Sequence, residues 1–224
     1  MLHIVGPAAD ICNPVRRGIE YSWTMSSDLL LALVAFAFAA SITPGPNNLM
    51  VMASGANFGL RRTVPHLAGI LVGFVVMVVL VGLGLSRVFE AWPAVRQALV
   101  AASALYLAWL AWKIATAAPP AEGQQAGQPI TFLQAALFQW VNPKAWMMAL
   151  TAVTLYAADR SMAAVALVAL VFGAVNVPCV SAWAVLGRQA RRWLATGARL
   201  RLFNRAMAVL LLASLAPAIA GELA

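Results

Sequence analysis

The stretch AASITPGPNNLMVMASG, residues 39–55, interrupts an apolar segment with two prolines, a glycine and two asparagines. Pro44 and Pro46 each lack a backbone N–H, and each ring crowds the carbonyl group four residues earlier. Thr43 and Gly45 precede these prolines and are therefore pushed away from helical geometry. Backbone groups without partners are costly in hydrocarbon, so such a break must face protein or a wet cavity. The stretch therefore predicts a helix that is broken deep inside the molecule.

The composition indicates an integral membrane protein. Of the 224 residues, 63% are hydrophobic and only 10% are charged, and the mean hydropathy is +0.85. A soluble domain is about half apolar and about a quarter charged. The apolar runs are long and lack the alternation of membrane-spanning strands. We therefore predict an all-α, polytopic membrane protein.

Six apolar segments reach the length of about 20 residues that a spanning helix needs. A stretch rich in Pro, Gly and Gln at 118–130 separates the third from the fourth, which is typical of a linker. We predict one membrane domain at 25–221, with halves at 25–117 and 131–221. The predicted helices lie at 28–52, 66–86, 97–117, 131–155, 162–186 and 204–221.

The first 24 residues have neither the apolar core of a signal peptide nor helical periodicity. Met25 opens the first apolar segment, so we interpret residues 1–24 as an overextended start or a disordered tail. A short extramembrane arm is the alternative, and no function is assigned to these residues.

The two halves suggest an inverted repeat. With three helices in each half, the second half enters the membrane from the opposite face. Secondary transporters are often built in this way, and interrupted helices at matching positions point to their substrate site. The first helix of half one is broken at TPGPNN, residues 43–48, and the first helix of half two at WVNPKAW, residues 140–146. We predict six transmembrane helices as a 3+3 inverted repeat with broken helices 1 and 4.

The second break has the features of a helix start. Asn142 is a good N-cap, and Pro143 suits the first helical position. A helix that begins here directs free N–H groups and its positive dipole end into the protein. Lys144 adds a charge that is unfavourable at this end, so we expect an anionic or strongly accepting partner. A substrate carboxylate and the carbonyls freed by the first break both fit, and a lysine that snorkels to the interface is the alternative.

Together the two breaks predict a pocket for a small zwitterion. Amide side chains donate and accept hydrogen bonds without the full cost of a buried charge. The N–H groups and Lys144 would bind a carboxylate, and the amides and free carbonyls an ammonium group. The candidate substrate-binding residues are Thr43, Pro44, Gly45, Pro46, Asn47, Asn48, Gln139, Asn142, Pro143, Lys144 and Asn176.

The sequence also resembles a known family. TPGPNNLMVMASGANFGLRR at 43–62 is followed by AGILVGF at 68–74, ALYLAWLAWKI at 104–114 and FQWVNPKAWMMAL at 138–150. Over about residues 25–221 the chain is similar to the LysE/RhtB family of bacterial amino-acid exporters. The resemblance implies six helices in the inner membrane and proton-driven efflux of small amino acids.

Details within the chain are similar to one branch of that family. WLAWKIAT at 109–116 and Asn176 are similar to exporters of cysteine and O-acetylserine, whereas other branches carry threonine and homoserine, leucine, or lysine and arginine. Ser103 and Ala111 stand where we would expect glycines, which changes helix packing more than mechanism. The sequence leaves the substrate open among these branches.

Basic residues predict the orientation. The connections after helices one, three and five carry nine Lys and Arg residues, and the other side carries three, or five when Arg16 and Arg17 are counted. Cytoplasmic loops carry the excess of such residues, so both termini are predicted to lie outside. The nine residues are Arg61, Arg62, Lys113, Arg188, Arg191, Arg192, Arg199, Arg201 and Arg205.

Four glycines and one histidine remain. Gly55 and Gly59, like Gly69 and Gly73, are spaced by four residues, which predicts close helix packing. His66 opens the second segment and is interpreted as an interfacial histidine. The carboxylates after Met25 lie near segment ends, so the sequence identifies no residue that carries a proton.

Three alternatives to an exporter remain. A cation or metal-ion transporter would need clustered Asp, Glu, His or Cys within the spans. A membrane enzyme would need a His, a Ser–His pair or two Asp residues in the membrane, and the membrane core has one His, at its edge. A structural membrane subunit would not need matched breaks. We predict a secondary transporter and no enzyme, without metal, cofactor or nucleic acid. Its partners are a small amino acid and the lipid bilayer, with a homodimer left open.

Overall fold

The computed structural model describes residues 26–85, 91–117, 128–194, 197–214 and 216. Residues 1–24 and most of the predicted linker therefore lie outside the described residues. The described part is helical, and a π-helical turn at Val81–Leu85 and a 3₁₀ turn at Gln139–Val141 adjoin the α-helices. The α-helices are α1 Ser27–Ile42, α2 Pro46–Phe58, α3 Leu60–Leu80, α4 Pro93–Ala115, α5 Phe132–Phe138, α6 Pro143–Tyr156, α7 Met162–Trp193 and α8 Gly197–Ala213.

Several of these helices have the length and hydropathy of membrane spans. Among the described residues, Leu60–Leu85, Gln97–Ala115 and Met162–Trp193 each qualify alone. The bent pair Ser27–Ile42 and Pro46–Phe58 qualifies as a fourth span. The protein is therefore an all-helical, multi-pass membrane protein over its described part.

The break in the first apolar segment is confirmed. Helix α1 begins at the N-cap Ser26, whose hydroxyl accepts a hydrogen bond from the Leu29 N–H at 3.3 Å, and it ends where Thr43 adopts an extended conformation. Gly45 is also extended, and Pro46 occupies the first turn of α2. The two helices meet at an angle of 54°.

The break in the fourth segment is also confirmed. Thr131 caps α5 in a reciprocal box with Gln134, and the 3₁₀ turn follows. Asn142 is extended, and its side chain accepts a hydrogen bond from the Lys144 N–H at 3.2 Å. Pro143 occupies the first turn of α6. The predicted N-cap is therefore present.

Several predicted helix boundaries were wrong. The first segment, predicted to end at 52, continues in α2 to Phe58. Helix α3 begins at Leu60 rather than at 66, α7 continues to Trp193 rather than ending at 186, and α8 begins at Gly197 rather than at 204. Hydropathy marks only the part of a helix that suits lipid. Arginine favours helix, so the helices continue through the basic ends.

Helix α7 is the centre of the fold. Helices α1, α2 and α3 all pack on it, while α3 also contacts α5 and α6, and α4 pairs with α8 at the side. The largest core cluster joins Leu33 of α1, Phe74 and Met77 of α3, Ala149 of α6 and Phe172 of α7. This arrangement brings α1 and α6, which adjoin the two breaks, into one core.

Glycines allow the closest contacts between helices. A Cβ atom at Gly55 would lie 2.3 Å from the Ala184 carbonyl oxygen, and one at Gly187 would lie 2.0 Å from the Met52 oxygen. Helices α2 and α7 therefore meet backbone to backbone, as small residues permit in membranes.

Helices α3 and α5 meet in the same way. A Cβ atom at Gly69 would lie 2.2 Å from the Phe132 carbonyl oxygen, and one at Gly73 would lie 2.6 Å from the Ala136 oxygen. The packing prediction was wrong for Gly59. That residue has a φ of 79° in the turn between α2 and α3, a conformation that glycine adopts readily.

Candidate functional site

Side chains from other parts of the chain satisfy the carbonyl groups at the first break. The Asn48 Nδ2 donates to the carbonyl oxygens of Ser41 and Thr43, both at 2.8 Å. The indole N–H of Trp183 donates to the Ile42 oxygen at 3.1 Å. The prolines thus free backbone acceptors, and interior donors replace the lost helical partners.

Lys144 reaches the same break from α6. Its ammonium group lies 2.8 Å from the Thr43 carbonyl oxygen, 2.9 Å from the Thr43 hydroxyl and 3.4 Å from the Pro44 carbonyl oxygen. The expectation of a strongly accepting partner is therefore met by neutral oxygens of the first break. The side chain is half-buried and turned into the protein.

Asn47 and Gln139 connect the two breaks directly. Each amide donates one hydrogen bond to the other, at 2.8 Å and 3.1 Å. Gln139 is fully buried and also donates to the Ala135 carbonyl oxygen at 2.9 Å. The residue before the second break is therefore fixed to the start of α2.

Asn176 approaches the site from α7. The side chain is 7% exposed, and its Nδ2 lies 3.4 Å from the Ser41 hydroxyl oxygen. Ser41 is itself buried in the last turn of α1. A polar pair from α1 and α7 thus completes the wall next to the break.

A small polar cavity lies between the breaks. It offers about 20 Å³ to the centre of a water molecule, which is room for about one water. An amino acid is several times larger, so the walls must move before one can enter. Six of the predicted residues line this cavity: Gly45, Asn47, Asn48, Asn142, Lys144 and Asn176.

A larger, mostly apolar cavity adjoins the same residues. It offers about 410 Å³ and is bordered by α1, the first break, α6 and the end of α8. Pro44, Pro46 and Pro143 line it, and so do Gly45 and Lys144. Thr43 and Gln139 line neither cavity but bond to Lys144 and Asn47, so all eleven predicted residues lie at or beside one place.

Sequence reasoning missed two contributors to this site. Ser41 stands before the break and gives no signal of its own, since a serine in a membrane helix is common. Trp183 also gives no signal, since tryptophan is common at membrane interfaces, yet its indole N–H donates to the freed Ile42 carbonyl oxygen. The count of carbonyls that two prolines leave without donors could have indicated the need for a donor such as Trp183.

The histidine next to this region is buried. His66 is 0% exposed, and neither ring nitrogen has a hydrogen-bond partner among the described residues. The interpretation as an interfacial residue was therefore wrong. Over residues 26–85, 91–117, 128–194, 197–214 and 216, no group of three His, Cys, Asp or Glu side chains could hold a metal ion.

A second amide pair stabilises the basic end of the molecule. Asn57 and Asn204 exchange hydrogen bonds at 3.0 Å and 3.3 Å, and Asn204 also donates to the Ala117 carbonyl oxygen at 3.2 Å. An Arg191 guanidinium nitrogen lies 3.9 Å from the Cβ position of Gly59. The ends of α2, α4 and α7 and the start of α8 therefore meet at one end.

Comparisons with known proteins identify the family of this chain. Residues 38–216 match the family model described as LysE type translocator. The chain is 36% identical to the cysteine/O-acetylserine efflux proteins of Escherichia coli (strain K12) and Shigella sonnei (strain Ss046) over 141 residues. This alignment covers 62% of the chain and 71% of each relative, and no solved structure matches. The chain belongs to the family of LysE type translocators.

Proposed function

We propose that this protein exports a small amino acid or derivative, such as cysteine or O-acetylserine, across a bacterial inner membrane. The observation that carries the proposal is the convergence of both helix breaks on one polar cavity. Transporters bind substrate where unwound helices meet. The names of the relatives, which are efflux proteins for cysteine and O-acetylserine, support the substrate class.

The chemistry of the cavity suits a zwitterion. The start of α6 and the Lys144 ammonium favour a carboxylate, because a helix N-terminus and a cation both attract anions. The amide oxygens of Asn47 and Asn176 and the carbonyl oxygens of the first break accept hydrogen bonds from an ammonium group. Backbone carbonyls of the first break are already paired, so the substrate must share or displace the donors that hold them.

We extend the proposal to a 3+3 inverted repeat with halves at 25–117 and 131–221. Exchanging the first and fourth segments, the second and fifth, and the third and sixth preserves the packing pattern. The broken α1–α2 segment packs on α7, which is the fifth segment. The broken α5–α6 segment packs on α3, which is the second segment and the counterpart of α7. Helices α3 and α7 pack on each other, as do α4 and α8.

Coupling to the proton gradient is the final part of the proposal. Among the described residues the carboxylates are Asp28 and Asp159, which lie at helix ends, outside both cavities. An uncoupler of the proton gradient is expected to stop export from energised cells. Continued export after uncoupling would instead indicate exchange or facilitated diffusion.

The export assay compares two lysines. Bacteria that overexpress the protein are expected to release cysteine and O-acetylserine into the medium and to tolerate toxic cysteine. Lys144→Gln is expected to reduce release at least tenfold while membrane insertion is unchanged. Lys113→Gln is the matched control, because Lys113 lies 4.7 Å from the Trp109 ring and lines neither cavity. Normal export by Lys144→Gln, or no amino acid released by the wild type, would contradict the proposal.

A further inference from the structure

The Lys144 side chain fills a position that a ligand could occupy. The three oxygens around its ammonium group belong to Thr43 and Pro44, and all three are neutral. An ammonium group has three N–H donors and no acceptor, so three converging oxygens satisfy it fully. The α-ammonium of an amino acid has the same three donors and the same charge.

The same side chain separates the two cavities. Lys144, Gly45, Ala40 and Met148 line both the polar cavity and the larger apolar one. The lysine chain runs across Gly45 so closely that a Cβ atom there would lie 2.7 Å from the lysine Cδ. Releasing the ammonium group from Thr43 would therefore let the lysine swing away and join the two spaces.

We propose that Lys144 occupies the subsite for the ammonium group of the substrate and that only a zwitterion displaces it. The carboxylate of the zwitterion pairs with Lys144 and the start of α6. Its ammonium group takes over the oxygens of Thr43 and Pro44 that Lys144 leaves. This inference rests on the proposed function and adds the rule by which the site selects its substrate.

Charge pairing explains the selection. Lys144 is half-buried, and a half-buried charge without a partner is costly, whereas exchanging one partner for another keeps every charge compensated. A simple amine would compete with Lys144 for the oxygens and leave the lysine without a partner. A simple carboxylate would draw Lys144 away, so the Thr43 hydroxyl and the Pro44 carbonyl oxygen would lose this donor and the Thr43 carbonyl oxygen would keep only Asn48. Only a molecule with both groups completes the exchange.

The test is a change of ligand preference in purified protein. Titration calorimetry is carried out with cysteine, with cysteamine, which lacks the carboxylate, and with 3-mercaptopropionate, which lacks the ammonium group. The wild type is expected to bind cysteine and neither analogue. Lys144→Met empties the subsite, so cysteamine is expected to bind at least tenfold more tightly to this variant than to the wild type.

A second variant repeats the test with Lys144 present. Gly45 is extended, with a φ of −175°, so alanine fits its backbone, and the added Cβ would displace the lysine chain. Gly45→Ala is therefore also expected to gain cysteamine binding, whereas Lys113→Met is expected to behave like the wild type. The inference, but not the proposed function, would be overturned if cysteamine bound to the wild type. It would also be overturned if the wild type bound cysteine and neither variant bound cysteamine more tightly. A wild type that neither binds nor exports an amino acid would overturn the proposed function.

Discussion

The side-chain amides of Asn47 and Gln139, 92 residues apart in the chain, exchange two hydrogen bonds at 2.8 Å and 3.1 Å. One residue follows the first break and the other precedes the second. The pair therefore holds the two interrupted segments in register, beside the cavity that both segments border. Each amide supplies the donor and the acceptor that the other needs, which is the most economical way to bury both.

This reciprocity predicts energetic coupling. Asn47→Ala leaves the fully buried Gln139 side-chain oxygen without its donor. Gln139→Ala likewise removes the hydrogen-bond partner of the Asn47 amide. Hydrogen bonds between membrane helices average about 0.6 kcal/mol in double-mutant cycles. A cycle with both alanine substitutions, measured by thermal unfolding in detergent, is expected to give a coupling of about 1 kcal/mol. Strictly additive effects would show that the pair contributes nothing jointly.

Close backbone contact between α2 and α7 predicts sensitivity at Gly187. Its Cβ position lies 2.0 Å from the Met52 carbonyl oxygen, and a backbone atom moves only with its helix. Gly187→Ala is expected to destabilise the protein by about 1–3 kcal/mol, the usual cost of overpacking. Gly173→Ala in the same helix is the control, since its nearest neighbour would be a Val75 methyl at 3.5 Å. Equal melting temperatures for the two variants would refute the contact.

The hydrogen bond from Trp183 to the first break can be removed with little change in shape. Trp183→Phe retains an aromatic ring but leaves the Ile42 carbonyl oxygen without the N–H donor at 3.1 Å. An unsatisfied buried acceptor costs about 1–3 kcal/mol. We expect this variant to have a lower melting temperature than the wild type. Trp112→Phe is the control and is expected to leave the melting temperature unchanged, because the Trp112 side chain is 64% exposed. A melting temperature equal to that of the wild type would mean that the carbonyl needs no donor from α7.

The amide pair at the basic end predicts a rescue. Asn204→Leu leaves the Asn57 oxygen and the Ala117 carbonyl without donors, and we expect a loss of about 1–2 kcal/mol of stability. Adding Asn57→Leu removes the stranded amide, so the double variant is expected to recover part of that loss. Heating followed by size-exclusion chromatography measures both. A double variant that is less stable than either single one would contradict this account.

The sequence predicted the breaks well because proline acts locally. Two prolines at 44 and 46, and the pair Asn142 and Pro143, determine backbone geometry through sterics and missing donors, whatever surrounds them. The composition indicated a membrane protein for a similar reason, because soluble proteins rarely contain several apolar runs of this length. The candidate site residues next to each break were therefore predictable from the sequence.

Partners distant in sequence were not predictable in the same way. Lys144 was expected to bind an anion or a carbonyl, but only the fold decides that its acceptors are Thr43 and Pro44. Gly59 shares the spacing of the packing glycines, yet the chain turns there, and spacing alone does not reveal a turn. His66 is buried because other helices pack against α3, which hydropathy does not show. Each error comes from tertiary contacts that override a one-dimensional pattern.

The bend between α1 and α2 has a consequence for synthesis. Two donors that satisfy its carbonyls, Lys144 and Trp183, lie 101 residues and 141 residues further along the chain than their acceptors. Ribosomes add roughly 5–20 residues per second, so the nascent bend waits on the order of 5–30 s for them. During that interval Asn48 can donate to the Thr43 carbonyl oxygen, whereas the Ile42 oxygen depends on the translocon or on water. The first segment therefore acquires its final shape only after most of the polypeptide has been translated.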